Sequence, residues 1–201
     1  MQIEKLVTGI YQENCYLVSE NDQLIVIDPG DGFSAIVRHI SSHENIRVAA
    51  ILLTHGHFDH IGAVDRLVRK YGCPVYACEE EEPLLRNEKY NTDGFLKASL
   101  SCDIKWLSGQ WLDIGPFHIR ILYTPGHTRG SVMYLIENSL FSGDTLFKLS
   151  IGRTDLYGGS LNQELASLEQ LRSLDENTVV YPGHEDNTTV GYELANNPYL
   201  N

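Results

Sequence analysis

The stretch VAAILLTHGHFDH, Val48 to His60, decides the reading of this chain. Val48 to Thr54 is an unbroken apolar run, too short for a helix, which predicts a buried strand. His55, His57, Asp59 and His60 follow at once in the pattern HxHxDH. Two imidazoles at i and i+2 on an extended turn can face one cation from the same side. Asp59 and His60 enter the next predicted helix, displaced far enough to reach a second cation. Imidazoles and carboxylates without cysteine suit zinc, iron or manganese in an open site, not a closed thiolate site.

The same grammar recurs three times further on. LYTPG precedes His127, LFSG precedes Asp144 and VVYPG precedes His184. In each case an apolar strand ends, a glycine follows and a ligand-type residue comes next. Glycine lets the chain turn sharply and approach another group closely. Loops at strand ends are where α/β folds build their sites. These turns therefore predict one gathered constellation of five histidines and two aspartates. Seven donors exceed what one tetrahedral ion with an open position needs, and they suit two divalent ions. His55, His57 and His127 are assigned to the first, Asp59, His60 and His184 to the second, and Asp144 to the bridge. Two divalent ions set against two carboxylates and a hydroxide leave a charge of about +1, which favours a negative transition state. Asp59 and Asp144 are thus the catalytic carboxylates. Asp28, in IVIDPGD, is either a turn or helix-capping residue or the acceptor that fixes a metal-bound histidine; Thr54 is a candidate for similar support. His39, His43 and His118 lack this context and read as structural.

Working outward, Tyr16–Ser19 and Leu24–Asp28 read as a hairpin turning at Glu20-Asn21-Asp22, and Phe33–Ser41 as a short helix. Ile61–Tyr71 reads as a helix stopped by Gly72, Pro74–Ala77 as a strand and Glu79–Glu88 as helical. The acidic run Glu79–Glu82 reads as a solvated helix start. Short strands follow at 104–107, 110–112, 117–123, 131–136 and 140–142. Asn162–Leu174 reads as an amphipathic helix, Val179–Tyr181 as the last strand and Thr189–Asn196 as a closing helix. ILLTHGH (51–57) and ILYTPGH (121–127) echo each other; a true repeat would make the fold two similar halves face to face. No linker or low-complexity segment interrupts this order, so residues 1–201 read as one α/β domain.

With 201 residues, 42% hydrophobic and 21% charged, the chain suits a globular enzyme and excludes collagen-like, coiled-coil or disordered classes. At this size folding buries about 70% of the chain's surface, enough for one core without disulfides. The net charge of −12 with scattered basic residues argues against a nucleic-acid partner. No apolar run reaches bilayer length, and the N-terminus lacks a signal-peptide pattern, so no membrane association is expected. Cys15, Cys73, Cys78 and Cys102 are irregularly spaced and read as free thiols in a reducing, cytoplasmic setting.

THGHFDH, TPGHTRGS, SGDTLF and PGHED, in this order, resemble the metallo-β-lactamase fold superfamily from about Asn14 to Asp186. The resemblance implies a four-layer αββα sandwich, two mixed sheets with flanking helices and a dinuclear site on one edge. GDTLF followed by SIGRTDL resembles the glyoxalase II-like hydrolases, which cleave thioesters such as S-lactoylglutathione. The short bacterial form, without the C-terminal helical domain that binds glutathione, is the nearer match. This implies a metal-bound hydroxide attacking a small-molecule thioester, with two divalent ions, zinc first and iron or manganese as alternatives. Arg153 stands where the full-length enzymes usually have lysine. It either grips a substrate carboxylate or pairs with Asp155. GRTD also resembles the persulfide dioxygenases of the superfamily, which would use a single iron on His55, His127 and Asp144. The position of Asp144 is commonly cysteine in the main subclass of true β-lactamases, which disfavours that activity.

Overall fold

Alternation along the strands sorts the apolar side chains into three layers. Residues 1–200 of the computed structural model are described. The first sheet runs, in chain and spatial order, through β1 (Gln2–Thr8), β2 (Glu13–Glu20), β3 (Gln23–Ile27), β4 (Arg47–Leu52), β5 (Val75–Ala77) and β6 (Ile104–Trp106). β1 to β3 pair antiparallel and β3 to β6 pair parallel. The second sheet contains β7 (Trp111–Ile114), β8 (Phe117–Tyr123), β9 (Val132–Ile136) and β10 (Ser139–Gly143). A ribbon of β11 (Leu146–Phe147) and β12 (Ser150–Ile151) follows, then β13 (Val179–Pro182) and β14 (Thr188–Thr189) return to the second sheet. Its spatial order is β14-β13-β10-β9-β8-β7, antiparallel except for the parallel pair β10 and β13.

Tyr16, Val18, Ile25 and Ile27 of the first sheet meet Phe117, Ile119, Ile121, Val132, Tyr134 and Phe141 of the second, forming the central core. Their neighbours one residue along point the other way, as a period of two demands. Cys15, Leu17, Leu24 and Val26 pack under α1 (Phe33–Ser42) and α3 (Val64–Tyr71). Leu122, Met133, Leu140 and Val180 pack under α5 (Leu161–Leu168) and α6 (Val190–Asn196). The result is the four-layer αββα sandwich that the family resemblance implies. β4 needs one correction of phase: opposite Leu24–Ile25, Ala49 is an extra residue, and both Ala49 and Ala50 face the central core. This bulge lets Val48 and Ile51 share the outer face.

Several elements differ from their sequence reading. β1 was not anticipated, because an edge strand with Ile3 on one face and Leu6 on the other lacks a clear alternation. The helix expected over Ile61–Tyr71 is split into α2 (Phe58–Ile61) and α3. Between them Ala63 donates to the carbonyl of Pro29, 3.0 Å, and Gly62 lies against Gly30. A Cβ on Gly30 would stand 1.8 Å from the carbonyl oxygen of Asp59, so the Pro29-Gly30 turn serves as a tight seat for the HxHxDH segment. The two sheets that carry the ILLTHGH and ILYTPGH echo are wired differently, so the echo does not extend to topology. Glu79–Glu88 is a 3-10 turn (Glu79–Glu81) followed by α4 (Glu82–Arg86). Among the described residues no helix is long and apolar enough to cross a membrane, and all four cysteines are free thiols.

Candidate metal centre

Strand direction explains why the four glycine turns meet. β8 and β10 both lie antiparallel to β9, so they run the same way. β13 is parallel to β10. His127, Asp144 and His184 therefore leave one edge of the second sheet side by side. Gly183 donates to the Gly143 carbonyl at 2.8 Å, tying the last two turns together. The end of β4 joins them through a 2.9 Å bond from the Val132 amide to the Thr54 carbonyl.

All seven predicted donors gather there. His55, His57 and His127 place one nitrogen each within 4.8 Å of one another, and Asp59, His60 and His184 do the same with their donor atoms. Asp144 stands between the trios. Its Oδ1 is 3.4 Å from His60 Nε2, and its Oδ2 is 3.6 Å from both His127 Nε2 and His184 Nε2. His57 Nδ1 and His127 Nε2 lie 2.8 Å apart, a contact that a shared proton or a shared cation would satisfy. A Cβ on Gly183 would fall 2.2 Å from Asp144 Oδ1 and 2.7 Å from His60 Cε1. One on Gly143, whose φ is +51°, would fall 2.3 Å from Thr54 Oγ1. Glycine before a ligand is thus a demand for space as well as for a turn.

The surrounding groups fix which nitrogen faces inward. Asp28 Oδ1 accepts the Thr54 amide at 2.7 Å, and its Oδ2 accepts the Thr54 hydroxyl at 2.5 Å and His60 Nδ1 at 3.1 Å. The Thr54 hydroxyl in turn sits 3.0 Å from His55 Nδ1, which donates to it. His127 Nδ1 donates to the Arg153 carbonyl at 2.7 Å and His184 Nδ1 to the Tyr11 carbonyl at 3.1 Å. With these four Nδ1 atoms committed, Nε2 is left free on each ring. Nε2 of His55 and His60 and Oδ1 of Asp144 are buried without a hydrogen-bond partner. Buried polar atoms left bare in this way fit a divalent cation. A further close trio, Asp28, His55 and His60, is a support, because both Asp28 oxygens are already engaged.

The electrostatics point the same way. Burial, then the neighbouring imidazoles, holds His55 well below its usual range. Burial likewise brings His57 down to about 3 and lowers His127. The first trio is therefore neutral and ready to ligate. In the second trio burial opposes charge, but Asp144 and Asp59 outweigh it and hold His60 well above its usual range. His184 is raised against the same penalty by its bond to Asp59 and by Asp144. Asp144 and Asp59 are held low, burial notwithstanding, by the charge on His60. The carboxylates create a field that favours positive charge among them.

The structure also corrects the reading of the acidic run. Glu81 does not face solvent; it is 1% exposed. Its Oε2 accepts the Gly56 amide at 2.5 Å and its Oε1 the Gly130 amide at 2.7 Å. One carboxylate thus clasps the His55–His57 turn of the first sheet to the His127–Gly130 turn of the second. Glu164, also unanticipated, accepts the His127 amide at 2.7 Å, and burial pushes its carboxyl up to about 8. Asn14 donates to the carbonyls of Pro182 and Glu185, each at 3.0 Å, bracketing His184. Arg153 holds His127 through its carbonyl, while its guanidinium pairs in bidentate fashion with exposed Asp155 at 2.7 and 2.9 Å. The remaining histidines lie apart: His43 pairs with Glu4, and His118 pairs with Asp113.

One consequence can be measured directly. Asp28→Asn keeps the shape but loses a charged acceptor for His60 and for Thr54. Metal affinity is expected to fall by about 10–100-fold, read by competition with a chromophoric chelator. Unchanged affinity would remove Asp28 from the support.

A cavity of about 930 Å³ opens above the cluster, lined by His57, Asp59, His127, Asp144 and His184 at its base. Comparison with known proteins agrees with this geometry. A family model described as the Metallo-beta-lactamase superfamily matches residues 8–184. The probable metallo-hydrolase YqgX of Bacillus subtilis is 39% identical over 208 residues, covering 100% of this chain and 98% of that protein. The hydroxyacylglutathione hydrolase GloC of Haemophilus influenzae is 30% identical over 210 residues, covering 100% and 99%. Among solved structures, BLEG-1 B3 metallo-beta-lactamase aligns with a TM-score of 0.93 at 37% identity over 99% of both chains. TTHA1623 in a di-iron-bound form aligns with a TM-score of 0.89 at 35% identity, over 98% of this chain and 100% of the other.

Proposed function

The chain belongs to the metallo-beta-lactamase superfamily, and from that premise we propose that it is a metal-dependent hydrolase of thioesters such as S-lactoylglutathione. The observation that carries this reading is the position of Asp144, within 3.6 Å of histidines from both trios. His55, His57 and His127 would hold one divalent ion and Asp59, His60 and His184 the other, with Asp144 common to both. Zinc suits the donor set best; the di-iron form of TTHA1623 keeps iron in view. When bound, such ions supply a water acidified toward neutral pH and a Lewis acid for a carbonyl oxygen.

The chain's own residues do the rest. Asp28, Thr54 and the carbonyls of Arg153 and Tyr11 fix the inward tautomers. Asp59 and Asp144 offset part of the ionic charge. Arg153 lines the cavity with its guanidinium held in both bonds by Asp155, so a substrate carboxylate would bind there only by displacing that partner. The partner is a small molecule; the acidic surface disfavours nucleic acid. Four unpaired cysteines support a cytoplasmic location.

The likeness to GloC supports the thioester class, and the likeness to BLEG-1 favours β-lactams as a second reading. A single iron on His55, His127 and Asp144 would leave the close trio of Asp59, His60 and His184 without a cation, and this favours hydrolysis over the dioxygenase alternative. Chain loaded with zinc should bind two ions and cleave S-lactoylglutathione faster than nitrocefin. Faster nitrocefin cleavage would move the assignment to β-lactams. One iron per chain with oxygen uptake on glutathione persulfide would move it to the dioxygenases.

A further inference from the structure

Among the polar and charged groups that line the cavity above the cluster stand five large apolar or aromatic side chains, brought together from separate parts of the chain. Val7 comes from β1, Tyr11 from the loop after it, Phe58 from α2, and Phe147 and Leu156 from β11 and the loop beyond Arg153. Val7 is 58% exposed, Tyr11 42% and Leu156 38%, so large apolar surface is left facing the opening. Tyr11 and Phe58 meet edge to face at 5.4 Å and form one wall. A second, smaller cavity of about 150 Å³ shares Tyr11, Phe58 and Asp59 with the first and adds Ile10, Leu96 and Ala98. The apolar lining therefore continues past the Tyr11–Phe58 pair.

The charged groups around this lining are unfavourable to an anionic ligand. Both cations are engaged: Lys5 Nζ donates to the Glu185 carbonyl at 3.1 Å, and Arg153 is paired with Asp155. Asp93, Glu185 and Asp186 also line the opening. Asp93 accepts the Tyr11 hydroxyl, and that bond holds its carboxyl below the usual range. A substrate carrying several negative charges would meet three carboxylates at the rim, with Arg153 already paired to Asp155 and Lys5 the one cation without a carboxylate partner, before reaching the cluster.

From this lining we infer that the preferred substrate has an uncharged, apolar portion flanking its scissile carbonyl, a short-to-medium alkyl or aryl group, and not a polyanionic carrier. The inference rests on the thioester reading and narrows it. Two measurements test it on the full zinc-loaded chain. The first is kcat/KM for N-acetylcysteamine thioesters of acetate, butanoate and hexanoate, with a matching series of acetyl thioesters of alkyl thiols, against S-lactoylglutathione. Half-exposed walls should give about a twofold gain per added methylene, half the effect of full burial, in at least one series. The second is calorimetric binding of the corresponding alkanoates and alkyl thiols, which needs no turnover and should tighten with chain length by a similar ratio. Val7→Ser combined with Leu156→Ser should flatten both slopes. Flat slopes in the native chain, slopes that survive the double substitution, or a tenfold preference for S-lactoylglutathione over the hexanoyl thioester would overturn the inference. If no thioester is cleaved while binding still tightens with length, the thioester reading fails and apolar recognition stands.

Discussion

Asp144→Asn should yield a folded chain that retains one divalent ion instead of two and turns over substrate at least about a thousandfold more slowly, a loss of several kcal/mol of charge stabilisation. The side chain keeps its volume, so the tight fit against Gly183 is undisturbed. What changes is charge and donor sense. The Asp144 carboxylate faces Nε2 of His60, His127 and His184 with both oxygens. An amide would present N–H groups to at least one of those lone pairs, and it would remove the one group within reach of both trios. Its own carboxyl is held well below the usual range despite burial, which says that the surroundings are arranged for the anion. Metal analysis, circular dichroism and kcat on the same preparation check the expectation together. Two ions per chain with kcat within tenfold of wild type would show that Asp144 does not join the trios.

The donors could be read from the sequence because they sit in local signatures, HxHxDH after β4 and a glycine turn after each of β8, β10 and β13. A strand, a glycine and a histidine or aspartate in succession encode a turn with no room for a side chain, as Gly143 and Gly183 illustrate. Convergence follows from strand direction, since β8 and β10 both run antiparallel to β9 and β13 runs parallel to β10, so their ends share one edge. The support around the donors is harder to read. Glu81 sits in a run of four glutamates whose composition speaks for solvent, and only the three-dimensional path turns this one inward. Glu164 occupies the first turn of α5, where an acidic residue is ordinary. Asn14 begins a hairpin strand and reaches the far sheet across the sandwich. In each case the partner is a backbone amide or carbonyl distant in sequence, and backbone groups leave no mark on the amino-acid code. Asp28 lay between these extremes. Its place at a strand end suggested a role, but only the bonds to Thr54 and His60 distinguish a support from a cap.

Glu81→Ala tests that hidden support, and its expected cost is large. The substitution strips the acceptor from two buried amides, Gly56 and Gly130. Each unsatisfied donor costs about 1–3 kcal/mol, so the metal-free chain should lose roughly 2–6 kcal/mol of unfolding free energy. A Cβ on Gly56 would lie 2.8 Å from Glu81 Oε2 and one on Gly130 2.9 Å from Glu81 Cγ, so both turns are moulded to this side chain. Because these turns carry His55, His57 and His127, their loosening should also weaken zinc binding by about 10–100-fold. Glu81→Gln should fall between, since its amide oxygen can still accept one N–H while its NH2 opposes the other. Leu84→Ala in α4 supplies the control: Leu84 is 3% exposed and alanine keeps the Cβ that lies beside Gly56, so its truncation lowers stability by cavity formation but removes no hydrogen bond to a ligand turn. Denaturant unfolding of the metal-free chain and a zinc competition titration separate the two effects. The clasp requires that affinity fall in Glu81→Ala and hold in Leu84→Ala. Equal affinities in both, or a stability change within about 0.5 kcal/mol for Glu81→Ala, would show that the two turns keep their places without it.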